Sequence, residues 1–214
     1  MTEDLSDLRQ EYISRGLNET EALQNPLEQF DLWFQEVRMI NVDLANVMVL
    51  ATSDSNGKPS ARCVLLKEYS KKGFVFYTNS LSQKGREIFE RPEVALVFYW
   101  KELHRQIRIE GKATLLSSDI ADRYFESRPR GCQISTWAAT QSEVVPGRSY
   151  MNDRVKELTD LYDGKLVPRP ETWLGYSVNP ELFEFWQGRE DRLHDRILYL
   201  LEKQGGWSMS RLAP

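Results

Sequence analysis

Phe183-Glu184-Phe185-Trp186-Gln187-Gly188-Arg189-Glu190-Asp191-Arg192-Leu193-His194-Asp195-Arg196 reads as two short strands flanking a Gly-Arg-Glu-Asp turn. Side chains alternate along a strand, so Arg192, His194 and Arg196 are expected on one face. Three basic groups on one face repel each other unless something anionic or electron-rich lies between them. With Trp186 nearby, that face suits a planar, phosphorylated ligand, with guanidinium and indole planes for stacking and charge for phosphate. Taken alone, an R-x-H-x-R pattern also reads as an exposed polar strand face beside a hairpin turn.

Outward from this hairpin, further strands are expected at Leu174–Val178, Leu182–Trp186, Arg192–Leu201 and Trp207–Leu212. Upstream, Pro26 opens an amphipathic helix whose Phe30, Trp33, Phe34 and Val37 recur at burial spacing. Val47–Thr52 is a buried-strand run, and Asn56-Gly57 signals the hairpin that returns as Ser60–Glu68. Lys71-Lys72-Gly73 turns the chain into a strand at Phe74–Thr78. Ser82 caps a helix that Arg91-Pro92 ends. Val94–Trp100 and Gln106–Leu115 form another strand pair. Helices follow from Ser117 to Ser127 and near Arg148–Tyr162. Many short antiparallel strands with helices outside them predict a mainly β, α+β chain, a barrel or sandwich with peripheral helices. No G-x-G-x-x-G follows a strand, which argues against a Rossmann nucleotide site.

The 214 residues are read as one domain, 1–214, with 1–25 a charged, mobile N-terminal arm. A net charge of −4 argues against a general nucleic-acid binder. No apolar run approaches the roughly 20 residues of a membrane helix, and the acidic N-terminus has no signal-peptide core. Cys63 and Cys132 form no CxxC pair, and His104 and His194 are the only histidines. A reduced, cytoplasmic protein with neither zinc site nor disulfide framework is the expectation.

Arg62-Cys63-Val64-Leu65-Leu66-Lys67 carries two cations an odd number of positions apart, so an unbroken strand sends them to opposite faces. Ser82-Gln83-Lys84 places a lysine in the first turn of a helix, where an anion is favoured. Tyr124 and Arg128, at i and i+4, share a helical face. Two charges at strand ends, or an Arg128–Glu126 surface pair, are the plainer readings of these groups.

Together, Phe183–Arg196, Arg62–Lys67 and Tyr124–Pro129 closely resemble the signatures of the pyridoxamine/pyridoxine 5′-phosphate oxidases, and the resemblance runs from about Leu8 to the Arg211-Leu212-Ala213-Pro214 end. It implies the antiparallel FMN-binding split β-barrel, a homodimer with its sites at the subunit interface. It also implies oxidation of pyridoxine 5′-phosphate or pyridoxamine 5′-phosphate by O2 to pyridoxal 5′-phosphate, with H2O2 as by-product and NH3 from the amine. FMN would be held by Arg62-Cys63-Val64-Leu65-Leu66-Lys67, Tyr77, Thr78, Gln83, Lys84, Gln106, Gln141, Ser142, Trp186 and Arg196. Substrate would meet Lys67, Tyr124, Arg128 and Cys132 at its phosphate, and Arg192, Leu193 and His194 at its ring. Arg192 and His194 are the implied catalytic pair, and Arg9 and Tyr12 the implied cover. The chain departs from the family at Gln83, where arginine is common, and at Cys132, where serine is. Another split-barrel flavin oxidoreductase, or a non-catalytic carrier of FMN or pyridoxal phosphate, stays open.

Overall fold

The structure is a computed structural model and describes residues 16–40 and 42–214. Asn25 accepts from the Leu27 N–H at 2.9 Å and Pro26 occupies the first turn, so helix α1 (Pro26–Met39) starts where expected. It is followed by β1 (Val47–Ser53), β2 (Pro59–Leu65), β3 (Glu68–Ser70), β4 (Gly73–Asn79) and α2 (Gln83–Glu90). Then come β5 (Glu93–Trp100), β6 (Arg105–Leu115), α3 (Ser118–Ser127), α4 (Arg130–Ala138) and α5 (Arg148–Leu161). The chain ends in β7 (Trp173–Gln187), β8 (Asp195–Leu201) and β9 (Trp207–Leu212). Strands pair in the order β2-β1-β5-β6-β7-β4-β3, with β8 between β7 and β9. Among the described residues no helix is long and apolar enough to cross a membrane.

The chain divides into two compact units. The first takes residues up to Val49, Ala95–Glu110 and Pro180–Pro214. Its core is aromatic: Trp33 of α1 meets Phe185 edge-on at 5.2 Å, and Phe185 meets Tyr199 at 5.6 Å. Burial of rings of this size supplies the apolar area that holds α1 on the strands. Residues from Leu17 onward are fastened rather than loose. The Leu17 N–H donates to Asp195, Arg211 pairs with Glu19 and Asp195, and Tyr199 donates to Leu23 O. The arm expected over 1–25 therefore has its last part tied down, while Arg9 and Tyr12 lie outside the described residues.

The second unit takes Leu50–Val94 and Gly111–Asn179. β4 pairs antiparallel with β7 from Phe74↔Val178 to Asn79↔Trp173. Helices α3, α4 and α5 pack around Phe125, Ile134, Leu158 and Trp173.

Four expectations change. The strands expected at Leu174–Val178 and Leu182–Trp186 are one strand, β7, running through Asn179-Pro180. Arg192 is not in a strand. It ends a short 3-10 turn over Glu190–Arg192, with φ +58 following Asp191 at φ +51, and β8 begins only at Asp195. The proposed Arg192–His194–Arg196 strand face is therefore absent, because the tight turn consumes the first of the three. β2 ends at Leu65, so the parity that separated Arg62 from Lys67 breaks down before Lys67. Arg128 lies just beyond α3 with extended backbone, φ −73 and ψ 148, because Pro129 disfavours helix there.

Candidate functional site

A cavity of about 1040 Å³ opens in the second unit. β2 contributes Arg62, Cys63, Val64 and Leu65, and Lys67 follows. Tyr77 and Thr78 come from the end of β4, and Gln83 and Lys84 from the start of α2. Tyr124, Arg128 and Cys132 enter from the α3–α4 corner, and Gln141 and Ser142 from the segment after α4. Sequence-expected residues far apart in the chain are thus gathered on one concavity. Lys67 and Arg62 share it despite the strand parity. Leu66 is buried and off the lining.

At one end, α2 is pinned on the preceding turn: Ser82 accepts from the Gly85 N–H at 3.2 Å. A Cβ at Gly85 would fall 2.4 Å from Ser80 O, so glycine permits this approach. Lys84 is thereby buried and donates to Gln141 Oε1 at 3.0 Å and Thr78 Oγ1 at 3.2 Å. Burial first, then the Arg62 charge, push its pKa down to about 8, against an upward pull from Glu87. Arg62 donates to Leu50 O at 3.1 Å and to Glu87 Oε2 at 3.2 Å. Burial would raise the Glu87 pKa, but hydrogen bonds from Ser60, Thr52 and Gln83, with the Arg62 charge, hold it at about 2. Gln83 donates its amide to Glu87 Oε1 at 2.8 Å.

At the other end, Tyr77, Tyr124 and Trp173 form a cluster of near-parallel rings, with Tyr77 4.1 Å from Tyr124 and 5.0 Å from Trp173, and Tyr124 5.9 Å from Trp173. Burial, then Tyr124, raise the Tyr77 pKa. Lys67 Nζ lies 5.9 Å from the centre of the Tyr124 ring, and the Arg128 guanidinium 4.8 Å from that of Trp173. Arg128 also donates to Thr136 Oγ1 at 2.8 Å, and the surface pair with Glu126 is not what fixes it. Sequence reasoning missed Glu87, Thr136 and Trp173. Glu87 was findable, since it stands four residues after Gln83 on an expected helix; Trp173 and Thr136 carry no local signal.

The remaining expected residues that the structure describes belong to the first unit. Trp186 is the β7 register partner of Arg196, and its ring lies 4.7 Å from that of His194. His194 Nδ1 accepts from the Arg189 N–H at 3.1 Å, so the neutral ring carries its proton on Nε2. Burial, then Arg192, lower the His194 pKa, against Asp195. Arg196 donates Nε to the buried Glu184 at 2.8 Å and Nη1 to Ala213 O at 2.8 Å, while Arg108 grips the same carboxylate. Gln106 sits at the start of β6, and Leu193 is exposed beside the turn.

Comparison with known proteins decides the family. A family profile described as pyridoxamine 5′-phosphate oxidase matches residues 35–162, and a pyridoxine 5′-phosphate oxidase C-terminal dimerisation region matches 173–214. The chain belongs to the pyridoxamine 5′-phosphate oxidase family. A pyridoxine/pyridoxamine 5′-phosphate oxidase of Rubrobacter xylanophilus is 50% identical over 99% of this chain and 97% of its own length. One from Acaryochloris marina is 47% identical over 98% and 95%. Among solved structures, PhzG from Burkholderia lata, in complex with tetrahydrophenazine-1-carboxylic acid, superposes with a TM-score of 0.87. It is 29% identical, and the match covers 94% of this chain and 98% of that one. The fold class is therefore the family's antiparallel split barrel, with the dimerisation region of a homodimer at its C-terminus.

FMN is the family's cofactor, and the residues present fit it. Lys84 is a buried cation held by neutral oxygens in the first turn of α2, an environment that a phosphate dianion completes. Thr78, Gln141 and Ser142 add hydroxyl and amide groups beside it.

Proposed function

We propose that this protein is an FMN-dependent, cytoplasmic oxidase that converts pyridoxine 5′-phosphate or pyridoxamine 5′-phosphate to pyridoxal 5′-phosphate. The observation that carries this reading is that one cavity holds two cation pairs, Arg62 with Lys84 and Lys67 with Arg128. A phosphorylated cofactor and a phosphorylated substrate need such a pair each. Bound FMN would supply two-electron oxidation at the substrate C4′, with O2 as final acceptor giving H2O2; the imine formed from the amine substrate would be hydrolysed by water to the aldehyde and NH3.

The chain's own part is binding and orientation. Lys84 and the first turn of α2 hold the cofactor phosphate, with Arg62 fixed by Glu87. Cys63, Val64 and Leu65 line the flavin with Tyr77 and Thr78, and the buried Leu66 backs them from outside the lining. Gln141 adds its amide beside Lys84, and Gln106 is assigned to the flavin's polar edge by the family resemblance. Lys67, Tyr124, Arg128 and Cys132 receive the substrate phosphate. Trp186, Arg192, Leu193, His194 and Arg196 belong to the other half of the site, which the partner subunit of the homodimer supplies. A neutral His194 with Nδ1 occupied presents Nε2–H to the polar edge of the pyridine, and Arg192 lies against the ring. Arg9 and Tyr12 cover bound substrate.

A second reading has one observation behind it: the PhzG structure holds a tetrahydrophenazine carboxylic acid, which has no phosphate. Purified protein is tested for flavin absorbance, then for peroxide release with each phosphate ester and with the phenazine acid. Turnover of the esters is expected. Turnover of the phenazine acid alone would assign the chain to that chemistry.

A further inference from the structure

We infer that Thr136 is a positioning residue for Arg128, and through it sets selectivity for a phosphate-bearing substrate. The inference rests on the phosphate role proposed for Arg128. Arg128 lies outside α3 on extended backbone, so helical geometry does not aim its long side chain. Three contacts do, and only one is a hydrogen bond. The Trp173 and Phe125 ring centres lie 4.8 Å and 5.5 Å from its guanidinium, and Thr136 Oγ1 accepts from Nη1 at 2.8 Å.

The Thr136 hydroxyl cannot turn away from this task. Its single proton goes to Cys132 O, one turn back in α4, at 2.7 Å, which leaves its lone pairs for Arg128. Thr136 therefore acts as a fixed acceptor. One guanidinium donor is engaged there, and a bidentate edge of the fork remains to grip an oxyanion. The Tyr124 ring stacks with that of Trp173 at 5.9 Å, and Lys67 Nζ lies 5.9 Å from the centre of Tyr124. Holding Arg128 over Trp173 thus keeps both cations on one cavity wall, and a substrate without phosphate gains nothing from it.

The test compares the FMN-loaded wild type with Thr136→Val and Thr136→Ser. Val keeps the shape and removes the acceptor; Ser keeps the acceptor. The expected result for Val is a KM for pyridoxine 5′-phosphate raised about tenfold, the value of one hydrogen bond to a charged group. kcat should change less than about twofold, FMN affinity should hold, and the inhibition constant of inorganic phosphate should rise in parallel with KM. Thr136→Ser should restore KM and phosphate inhibition. If Val lowers flavin content or melting temperature, Thr136→Ala supplies the same comparison. A wild type that oxidises the esters while Thr136→Val keeps its KM and phosphate inhibition overturns this inference alone. A wild type that binds FMN but oxidises neither ester overturns the proposed function, and this inference with it.

Discussion

Lys84 donates to Gln141 Oε1 at 3.0 Å, a contact spanning 57 positions of sequence between two residues that each line the cavity. The acceptor is neutral, and burial together with Arg62 has already brought the ammonium down to about 8. A bound phosphate dianion favours the protonated lysine, so binding above that pH must take up a proton. FMN affinity of the apoprotein is therefore expected to hold between about pH 7 and pH 8, where the phosphate is a dianion, and to weaken as pH rises beyond that. Flavin fluorescence quenching at pH 7 and pH 9.5 measures this. Lys84→Met should bind weakly at both and lose the slope; a slope that survives the substitution would place the titration elsewhere.

The Arg62–Glu87 pair gives an acid-side expectation. Glu87 titrates at about 2 when folded, against roughly 4.3 for an unfolded glutamate. Its stabilisation is complete above the unfolded value and disappears as pH falls through the folded one. At neutral pH it amounts to no more than about 3 kcal/mol. Denaturant melts of the apoprotein between pH 5 and pH 2.5 should show the loss, and Glu87→Gln should flatten it. An unchanged acid dependence in that variant would remove Glu87 from the explanation.

How much of this was legible beforehand follows from the range of each interaction. The Pro26 helix start, the Ser82 cap, the Asn56-Gly57 turn and the burial spacing of α1 are local signals, and each lies where the sequence indicated. The Arg192–His194–Arg196 face failed because periodicity presumes a strand, while two successive positive-φ residues make a turn. Lys67 reached the cavity of Arg62 because β2 stops two residues short of it, which alternation cannot reveal. Thr136 acts on Arg128 from 8 positions away and Trp173 from further still, so no local pattern names either; Glu87 holds Arg62 from 25 positions away, and its one local signal is the i+4 spacing to Gln83. The family signature supplied residue roles, but not the contacts that aim those residues.

The two arginines of the β8 region should separate in their effects. Arg196 is fixed by Glu184 and Ala213 O opposite Trp186, whereas Arg192 sits on the turn beside His194. Arg192→Leu and His194→Ala are expected to lower kcat/KM at least tenfold, on the order of 1.4 kcal/mol or more, while flavin content after purification stays near wild type. Arg196→Ala should instead release flavin. Equal flavin loss in all three variants would refute the division.

Gly175 faces Tyr77 across the β4–β7 pair, and a Cβ there would stand 2.7 Å from Tyr77 Cε1. Gly175→Ala must therefore push the Tyr77 ring against Tyr124 and Trp173, with which it stacks. Overpacking of this kind costs about 1–3 kcal/mol. A lower melting temperature with a raised KM for the phosphate esters is expected. A variant with wild-type KM would show that the stack does not aim Lys67 and Arg128.

The two departures from the family pattern, Gln83 and Cys132, allow a last comparison. Gln83 spends its amide on Glu87, so an arginine there would meet the carboxylate that already holds Arg62. Part of the added charge is then neutralised within the protein. Gln83→Arg should tighten FMN preferentially, and Cys132→Ser, exchanging a weak thiol donor for a hydroxyl, should lower the substrate KM preferentially. Each gain is expected to stay within about 1–2 kcal/mol, because Lys84 remains for FMN, and Lys67, Tyr124 and Arg128 remain for substrate. Equilibrium flavin titration and steady-state peroxide assays measure the two effects separately. A hundredfold rise in activity from either substitution would mean the natural chain lacks a working phosphate site, and a non-catalytic carrier of FMN or pyridoxal phosphate would then account for it better.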